Sequence, residues 1–409
     1  MTTGRAIADA NALTSRWAST LDNSGTVLSG AGVHVLLALL APFAGGRVRD
    51  DLLAIAPEQL DLPDSPATRM ATGVWTRAEV PLTEDWKAAV PEPLRGALTG
   101  DPAVDQPVLD AWAARQTDGE IAAMPVQVTD GTLMVLASAL SVRTTWAEPF
   151  TDDLQESEDG AWAGRQQAGL HRMTKGAGAL QALRVVETAA GALTLVTVVG
   201  ADDVDVVLAL GEAGAPPAVV LPAAIDAAVP PGSGDATKSP RNVTYGDTLL
   251  ERATIRQPEI GGSGQTPVAG APGVSVRECQ ASDDQPELHV HTVRFRVTGS
   301  HDLLEHAEIF GLAGATDASR GHFPGISPMP MAISQARQDA VAEFTAEGFK
   351  AAAVTAFATL AGAYFQQVTY RKRIAIVDFD RPFGFVAVHR PTGLALVAGW
   401  VSDPEPFEG

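Results

Sequence analysis

The first part of the chain carries apolar residues at helical spacing. The repeat runs over residues 6–21 and again over 34–55, where Gly45 and Gly46 interrupt it, and a third amphipathic stretch covers 109–121. Apolar positions three and four residues apart form one continuous stripe on a helix, whereas paired glycines weaken a helix locally. We therefore predict helices in all three segments, with a break at the glycine pair.

Other apolar runs have the length and the β-branched content of strands. Residues 131–142 are apolar without polar alternation, which is typical of a strand buried on both faces. Residues 193–199 and 204–210 are separated by Gly-Ala-Asp-Asp, which predicts a hairpin. Towards the C-terminus we expect a strand over 291–297, a helix over 302–312, a strand over 330–344 and two closing strands.

The stretch from about 224 to 282 departs from this regular pattern. It is rich in Pro, Gly, Ser and Asp and includes the run GGSGQTPVAGAPG. Two interpretations fit such a composition, a linker between domains or long surface loops within one fold. Because matching features stand on both sides of it, we predict loops within a single domain that spans residues 1–409.

The charge of the chain narrows the range of partners. The 409 residues include 29 Lys and Arg against 49 Asp and Glu, which gives a formal net charge of -20. Such a surface repels phosphate backbones and anionic lipids, so we predict neither a nucleic-acid partner nor a membrane partner. The apolar run at 33–43 is well short of the roughly 20 residues that span a bilayer. We interpret it as a core helix.

Cysteine usage and the N-terminus bear on the compartment. Cys279 is the single cysteine, so no intrachain disulfide and no thiolate metal cluster can form. The first 17 residues lack the apolar core and the small-residue cleavage site of a secretory signal. We therefore expect a cytoplasmic protein and leave secretion by another route open.

Motifs that would support catalysis are incomplete in this sequence. The run Gly-Gly-Ser-Gly at 261–264 lacks the final glycine of a nucleophile elbow. The Gly-Ala-Gly runs at 30–32 and 176–178 lack the third glycine of a dinucleotide fingerprint, and no P-loop motif occurs. We predict that the protein is not an enzyme, has no catalytic residues and requires no cofactor.

His289 and His291 alternate along a predicted strand, so their imidazoles would lie on one face. A metal pair is conceivable, but no HExxH motif and no carboxylate at ligand spacing supports it. We interpret both as exposed strand histidines and predict no metal. His34 and His171 stand singly in the sequence.

The most specific family signal lies near the C-terminus. Residues 378–383 read Asp-Phe-Asp-Arg-Pro-Phe, and Phe385 follows. This segment resembles the C-terminal signature of the serpin family, although Gly384 stands where a large apolar residue is usual. Residues 392–404 resemble the last hairpin of the family. The signature residues are Asp380, Arg381, Pro382 and Phe383.

Further matches to serpins follow upstream in family order. They are Trp112, Gln116, Thr117, Gly119 and Ile121 in a helix across the main sheet, Trp146, Pro149 and Phe150 after the next central strand, and a buried helix at 29–44. In that helix Gly30 and Gly32 replace the usual proline and second serine. The resemblance covers nearly the whole chain, with 224–282 the weak part. It implies an α/β fold with a large central mostly antiparallel sheet, smaller sheets, about eight to nine helices and an exposed reactive loop.

Serpins keep a polar gate under the centre of the main sheet, commonly built from serine, asparagine and histidine. By resemblance these positions are Ser29, Ser138 and Gln338. Two of the three differ from the usual residues. Because a buried polar group without a partner costs about 1 to 3 kcal/mol, we expect this gate to be hydrogen-bonded in its own way.

Residues 347–355 resemble the proximal hinge of the serpin reactive loop, which extends here over about 347–373. The hinge residues are Glu347, Gly348, Phe349, Lys350, Ala351, Ala352, Ala353, Val354 and Thr355. In an inhibitory serpin this segment enters the main sheet after cleavage, so every second side chain must fit the interior. With Gly348 at the hinge, the inward set from Phe349 to Ala361 carries no charge. A short helix or a flexible loop is the alternative, because alanine favours helices.

The resemblance implies a suicide-substrate inhibitor of a serine protease and no cofactor or metal. Phe349, Lys350 and the altered gate favour an alternative, a non-inhibitory serpin-like binding or structural protein that is cleaved as a plain substrate. The first residue to enter the sheet is usually Thr, Ser or Val, and a bulky ring in a packed slot costs about 1 to 3 kcal/mol. Insertion would then be slower than hydrolysis of the acyl-enzyme.

Counting from the hinge as in the family places the scissile bond between Gly362 and Ala363. The further candidates are Tyr364, Phe365 and Leu360, which suit a chymotrypsin- or subtilisin-like protease. We interpret the basic run at 371–373 as a turn beside the sheet and expect the protein to be a monomer.

Overall fold

The computed structural model describes most of the chain. Described are residues 4–407, apart from 62–64, 66, 91, 117–118, 120–121, 125, 127, 130, 158–159, 177, 190, 229–242, 254–263, 318 and 350–369. The prediction of a single domain over 1–409 stays a prediction.

The described residues form seven α-helices and four short 3-10 helices, against the eight to nine helices expected. The α-helices are α1 (Gly4–Ala18), α2 (Gly30–Leu40), α3 (Gly46–Ile55), α4 (Glu84–Ala89), α5 (Pro102–Gln116), α6 (Pro217–Ala228) and α7 (Gly246–Arg252). The 3-10 helices are Ala41–Phe43, Glu92–Leu94, Ala179–Ala182 and Leu303–His306. The predicted break lies between α2 and α3. The helix predicted over 302–312 is limited to the short 3-10 helix and turns.

Twenty strands are present in the described part of the chain. In order they are β1 (Thr26–Leu28), β2 (Thr68–Arg77), β3 (Arg95–Leu98), β4 (Met134–Val142), β5 (Thr144–Thr145), β6 (Thr151–Glu156), β7 (Gln166–Lys175), β8 (Leu183–Thr188), β9 (Gly191–Val198), β10 (Val204–Leu210), β11 (Val243–Tyr245), β12 (Gln265–Pro267), β13 (Val274–Ala281), β14 (Glu287–Val293), β15 (Phe295–Asp302), β16 (Gln335–Phe344), β17 (Gly348–Phe349), β18 (Tyr370–Asp378), β19 (Phe383–His389) and β20 (Leu394–Val401).

These strands form three sheets. The main sheet has the order β3-β2-β4-β16-β17-β5, and β15 pairs with the other edge of β16. The second sheet has the order β12-β13-β18-β14-β7-β6, and the third sheet has the order β1-β20-β19-β10-β9-β8-β11. Within the main sheet β2 pairs with β3 and β4 with β16 in parallel, and the other pairings are antiparallel. The fold is thus the mixed α/β arrangement with a large, mostly antiparallel sheet that the sequence predicted.

The aromatic core joins the main sheet to the third sheet. Phe295 of β15 stacks on Phe344 of β16 with ring centroids 5.3 Å apart, and it packs against Phe385 of β19 at 5.1 Å. All three side chains are fully buried. The hairpin predicted from the Gly-Ala-Asp-Asp separator is confirmed as the antiparallel pair β9 and β10. Its β-branched residues contribute to the same core.

Two glycines that depart from the serpin pattern permit close helix packing. A Cβ at Gly30 would lie 2.6 Å from the backbone nitrogen of Thr14, so α1 and α2 approach each other only because that side chain is absent. A Cβ at Gly384 would lie 2.8 Å from Leu221 on α6. Helix α6 therefore occupies the volume that a large residue at 384 would fill.

The described parts of 224–282 are more regular than the loops that we expected. They contain the end of α6, β11, α7, β12 and β13, and β13 pairs with β18 over eight positions from Val274 to Ala281. Glu278 interrupts the apolar alternation of β13, because its carboxylate forms ion pairs with Arg371 and Arg373 on β18. Those partners lie about a hundred residues away in sequence, so the strand has no local signature.

Among the described residues, the helices are all too short or too polar to cross a membrane.

Candidate functional site

The predicted hinge begins with a tight turn directly after β16. The backbone N–H of Thr345 donates to the carbonyl oxygen of Gly348 at 2.9 Å, and the Thr345 hydroxyl donates to the same oxygen at 3.0 Å. The N–H of Gly348 in turn donates to the Thr345 hydroxyl at 3.3 Å. The side chain of Thr345 therefore stabilises the turn, after which the chain runs antiparallel to β16.

The two residues after this turn already form a strand of the main sheet. In β17, Phe349 pairs with Phe344 of β16, while Gly348 and Phe349 pair with Thr145 and Thr144 of β5. A Cβ at Gly348 would lie 3.0 Å from the Cα of Thr145, so glycine is required for this approach. The hinge thus lies between β16 and the continuation of β4, at the end of the sheet that we call the top.

Phe349 fills an interior position at the top of the main sheet. Its side chain is 1% exposed and its ring centroid lies 6.1 Å from that of Phe385. From its size, we expected this ring to slow insertion. Instead the ring is already seated in the aromatic core, so the cost of placing it has been met in the intact fold. Its inward direction agrees with the alternation assumed for the hinge.

The segment that follows β5 holds the hinge turn by its backbone. Trp146 donates its backbone N–H to the carbonyl oxygen of Glu347 at 2.9 Å and its indole N–H to that of Thr345 at 3.0 Å. Phe150 donates its backbone N–H to the carbonyl oxygen of Ala346 at 2.7 Å. The rings of Trp146 and Phe150 both pack on Phe344, with centroids 4.8 and 5.5 Å away. The Trp-x-x-Pro-Phe motif therefore anchors the hinge.

The predicted gate residues meet at the middle of the main sheet. The backbone N–H of Ser29 donates to Oε1 of Gln338 at 2.7 Å, and Nε2 of Gln338 donates to the carbonyl oxygen of Ser29 at 2.8 Å. Ser29 also caps α2 through Gly32 N–H and donates its hydroxyl to the carbonyl oxygen of Leu396 at 2.6 Å. Glutamine thus ties β16 to the start of α2 in place of the usual histidine.

Ser138 lies beside Gln338 but does not join that arrangement. The two residues are directly paired in the parallel register of β4 and β16, which extends over six positions from Gln335 to Ala340. The Ser138 hydroxyl is buried and has no hydrogen-bond partner among the described residues. The middle of the sheet is therefore closed, with one buried hydroxyl left unsatisfied.

His34 adds a titratable group to the same helix that Ser29 caps. The side chain is fully buried, and both ring nitrogens lack a hydrogen-bond partner in the described part of the chain. Burial lowers the pKa of His34 from 6.5 to about 4, because the apolar surroundings disfavour the imidazolium ion. The ring is neutral at physiological pH.

The C-terminal signature forms the start of β19 and its lead-in. Phe379 and Phe383 are fully buried, with ring centroids 5.0 Å apart. Arg381 pairs with Asp380 at 2.7 Å and donates to the carbonyl oxygen of Gly211 at 3.1 Å, and Pro382 is half-buried. These residues connect the end of β18 in the second sheet to β19 in the third sheet.

The remaining predicted loop residues lie outside the described residues. They are Lys350, Ala351, Ala352, Ala353, Val354, Thr355 and the scissile-bond candidates Leu360, Gly362, Ala363, Tyr364 and Phe365. The basic run at 371–373 is not the turn that we predicted, because it lies in β18. Lys372 there is 4% exposed and forms ion pairs with Glu287 at 2.6 Å and Asp283 at 2.8 Å.

Among the described residues, the site is a closed turn followed by a two-residue strand between β16 and β5. The structure describes the predicted hinge positions Gly348 and Phe349 and the predicted gate positions, whereas Thr345, whose hydroxyl closes the turn, was not predicted. A threonine three residues before a glycine was the available signal, but such a pair is common in loops.

Part of the chain is similar in sequence to a known protein family. A family model described as "Serpin (serine protease inhibitor)" matches residues 275–404. A rice protein (Oryza sativa subsp. japonica) with the name "Putative serpin-Z12" is 30% identical over 147 residues, which is 30% of this chain and 34% of the rice protein. The matched stretch therefore spans about a third of that relative.

Two solved structures resemble the whole chain in fold. Human thyroxine-binding globulin, bound to thyroxine, superposes with a TM-score of 0.66 at 14% identity, covering 98% of each chain. Serpin48 of the insect Tenebrio molitor superposes with a TM-score of 0.66 at 15% identity, covering 97% of this chain and 98% of that one.

Proposed function

The chain belongs to the serpin family, and on that premise we propose that it inhibits a serine-type endopeptidase as a suicide substrate. The protein supplies no catalytic group in this proposal. The serine of the protease attacks the scissile carbonyl of the loop, the peptide bond breaks with release of the new amine, and an acyl ester joins the two proteins. Inhibition follows when the loop enters the main sheet faster than water hydrolyses the ester.

The observation that carries the proposal is the position of β17. Phe349 is paired on both sides, with Phe344 of β16 and with Thr144 of β5, and Gly348 is paired with Thr145 of β5, which is the arrangement expected at the start of an inserted strand. An incoming strand extends from this point by separating β4 from β16 at the six paired positions below. It replaces each lost backbone hydrogen bond with new ones on both of its edges.

The residues after Phe349 are suited to that path by size and charge. Because Phe349 faces the interior, Ala351, Ala353 and Thr355 would face it too in an extended strand. These side chains are small and uncharged, and no proline interrupts the run from 350 to 369. The central sheet can therefore accept them without overpacking.

We further propose that the target is a chymotrypsin- or subtilisin-like protease and that the protein acts as a monomer without a cofactor. Cleavage between Gly362 and Ala363 offers such an enzyme little side chain to recognise, whereas Tyr364, Phe365 and Leu360 fit its apolar specificity pocket. Mass spectrometry of the cleaved loop identifies the bond.

The test is the formation of a covalent complex. The protein is incubated with chymotrypsin, subtilisin or elastase, and the mixture is run on a denaturing gel. A band at the summed mass that survives denaturation is expected for at least one enzyme. Clean cleavage of the loop by all three, without such a band, would exclude suicide inhibition by these classes.

The second candidate is a non-inhibitory serpin whose loop is cleaved as a plain substrate. The two hydrogen bonds between Gln338 and Ser29 favour it, because they fix β16 to the start of α2 and so oppose movement of β16 away from β4. Thyroxine-binding globulin, a neighbour in fold, binds a small ligand, so a binding function is the form that this alternative takes. It predicts cleavage without a complex and without a rise in melting temperature.

A further inference from the structure

Three histidines from two distant parts of the chain meet on one face of the second sheet. His289 and His291 alternate along β14, and His171 of β7 lies directly opposite His291 in the antiparallel register. One nitrogen from each ring lies within 4.8 Å of the other two. The ring centroids of His171 and His291 are 4.8 Å apart, and those of His171 and His289 are 5.4 Å apart.

Two of these rings are oriented by a carboxylate. Glu287 Oε1 accepts a hydrogen bond from Nε2 of His289 at 2.7 Å, and Asp378 Oδ1 accepts one from Nδ1 of His291 at 2.6 Å. A carboxylate accepts and does not donate, so the contacting nitrogen of each ring carries the proton. The other nitrogen of each ring then has a free lone pair, as in metal sites where a carboxylate orients a ligating histidine.

The third ring has a buried nitrogen that nothing described satisfies. Nε2 of His171 is inaccessible to solvent and has no hydrogen-bond partner among the described residues. A buried polar atom of this kind is costly unless a ligand occupies it. The side chains of His289 and His291 are 12% and 33% exposed, so an ion has access from solvent.

The groove beside two of the three rings is acidic. A groove of about 560 Å³ borders His171 and His291. The acidic residues that line it are Asp153, Glu156, Asp378 and Asp380. With a net charge of -20 on the whole chain, this groove concentrates cations beside the rings.

We propose that His171, His289 and His291 bind a divalent transition-metal ion such as zinc, with the remaining coordination position open to water from the groove. Imidazole ligands select zinc and its neighbours over calcium and magnesium, which prefer oxygen. Tetrahedral zinc–nitrogen bonds of about 2.0 to 2.1 Å would bring the ligating nitrogens, now within 4.8 Å of one another, closer by up to about 1.4 Å through side-chain rotation. This reverses our sequence-based interpretation of His289 and His291 as plain exposed histidines.

A metal at this position would join three strands of the second sheet. It would bind β7 and β14 directly, and β18 through the hydrogen bond from His291 to Asp378. β18 is the strand that follows residues 350–369, so the ion would stabilise the C-terminal anchor of the predicted loop. Zinc should therefore raise the melting temperature of the intact protein by a few degrees at saturating concentration.

The test is calorimetric titration of the full chain, without a histidine tag, with zinc chloride in a buffer that does not bind zinc. One ion per molecule is expected. His171→Gln and His291→Gln should each weaken binding at least about 100-fold, and Asp378→Asn should weaken it about 10- to 100-fold, as loss of an orienting carboxylate does. His306→Gln alters an exposed histidine on another element and is the matched control, expected to bind as the parent does.

Cobalt(II) gives a second readout that a purely structural effect would not produce. Its visible spectrum in the parent protein should show bands of a four- or five-coordinate nitrogen site, and these should disappear in His171→Gln even when circular dichroism shows a folded protein. Absence of zinc binding in the parent, equal affinity in His171→Gln, or an equal loss in His306→Gln would each overturn the proposal.

Discussion

The top of the main sheet and its middle are held by different interactions. At the top, Phe349 is seated among aromatic rings and the hinge turn is fixed by backbone hydrogen bonds from Trp146 and Phe150. In the middle, Gln338 binds the backbone of Ser29 while the Ser138 hydroxyl has no partner in the described chain. Phe349 already lies in the main sheet, so under the proposed mechanism the polar middle is where further insertion would meet resistance.

The largest expected effect comes from a charge at an inward position of the inserting strand. Ala353→Arg would place a guanidinium in the apolar interior during insertion, where an unpaired charge costs several kcal/mol. We expect the yield of covalent complex to fall at least about 10-fold, with loop cleavage retained. Ala352→Arg, one residue away and facing outward, is the matched control and should retain the complex on denaturing gels.

If both arginine variants formed complexes equally well, the inward and outward alternation counted from Phe349 would be wrong. Equal loss in both would point instead to an effect on protease recognition.

The next effect tests whether Phe349 is buried in the main sheet before the loop is cleaved. Phe349→Ala removes a ring buried in the intact fold and should lower the free energy of unfolding by about 3 to 5 kcal/mol. Because the ring is expected to stay buried at the same position after insertion, the free energy of unfolding should fall by similar amounts in the intact and the loop-cleaved protein. Denaturant titrations measure both. A loss confined to the cleaved protein would mean that Phe349 enters the sheet only after cleavage.

Helix α2, which Ser29 caps beside the middle of the main sheet, carries a buried titratable group, His34, so its contribution to stability should depend on pH. The pKa of His34 is about 4 in the folded protein and 6.5 in its ordinary state, so the unfolded chain takes up the proton first as pH falls. Stability from His34 is complete above pH 6.5 and decreases through this window, by about 3 kcal/mol near pH 4. His34→Leu should flatten this part of the profile in urea titrations. Identical profiles for parent and variant would contradict the assignment.

The smallest effects concern Gln338 and Ser138, two of the three predicted gate residues. Gln338→Leu leaves the N–H and the carbonyl of Ser29 without these partners and should cost about 2 kcal/mol. Ser138→Ala removes an unsatisfied hydroxyl and should stabilise the protein by about 1 kcal/mol. Thermal unfolding of both variants measures the contrast. If the melting temperature shifted in the same direction in both variants, the different roles assigned to the Gln338 amide and the Ser138 hydroxyl would be wrong.

Local patterns were sufficient to predict the parts of the fold that rest on local sequence. The hairpin of β9 and β10 and the helices around the Gly45-Gly46 break follow from periodicity and turn residues. The family resemblance located Gly348 and Gln338. Strand β13 was missed because Glu278 is satisfied by charges on β18, far along the chain.

Two features of the sites were beyond reach of the sequence because they depend on register between distant strands. His171 stands alone in the sequence, and only the pairing of β7 with β14 places it opposite His291. Phe349 was expected to obstruct insertion, because the sequence gives the size of its side chain but not its buried position beside Phe385. In both cases a contact between residues distant in sequence changed the interpretation of the residue.

The most direct test of this account is the melting temperature before and after a single cut between residues 350 and 369. An insertion that begins at β17 and continues through the gate adds a full strand to the main sheet, so the cleaved protein should melt well above the intact one. An unchanged or lower melting temperature after a clean cut would contradict the account, because the loop would then have remained outside the sheet.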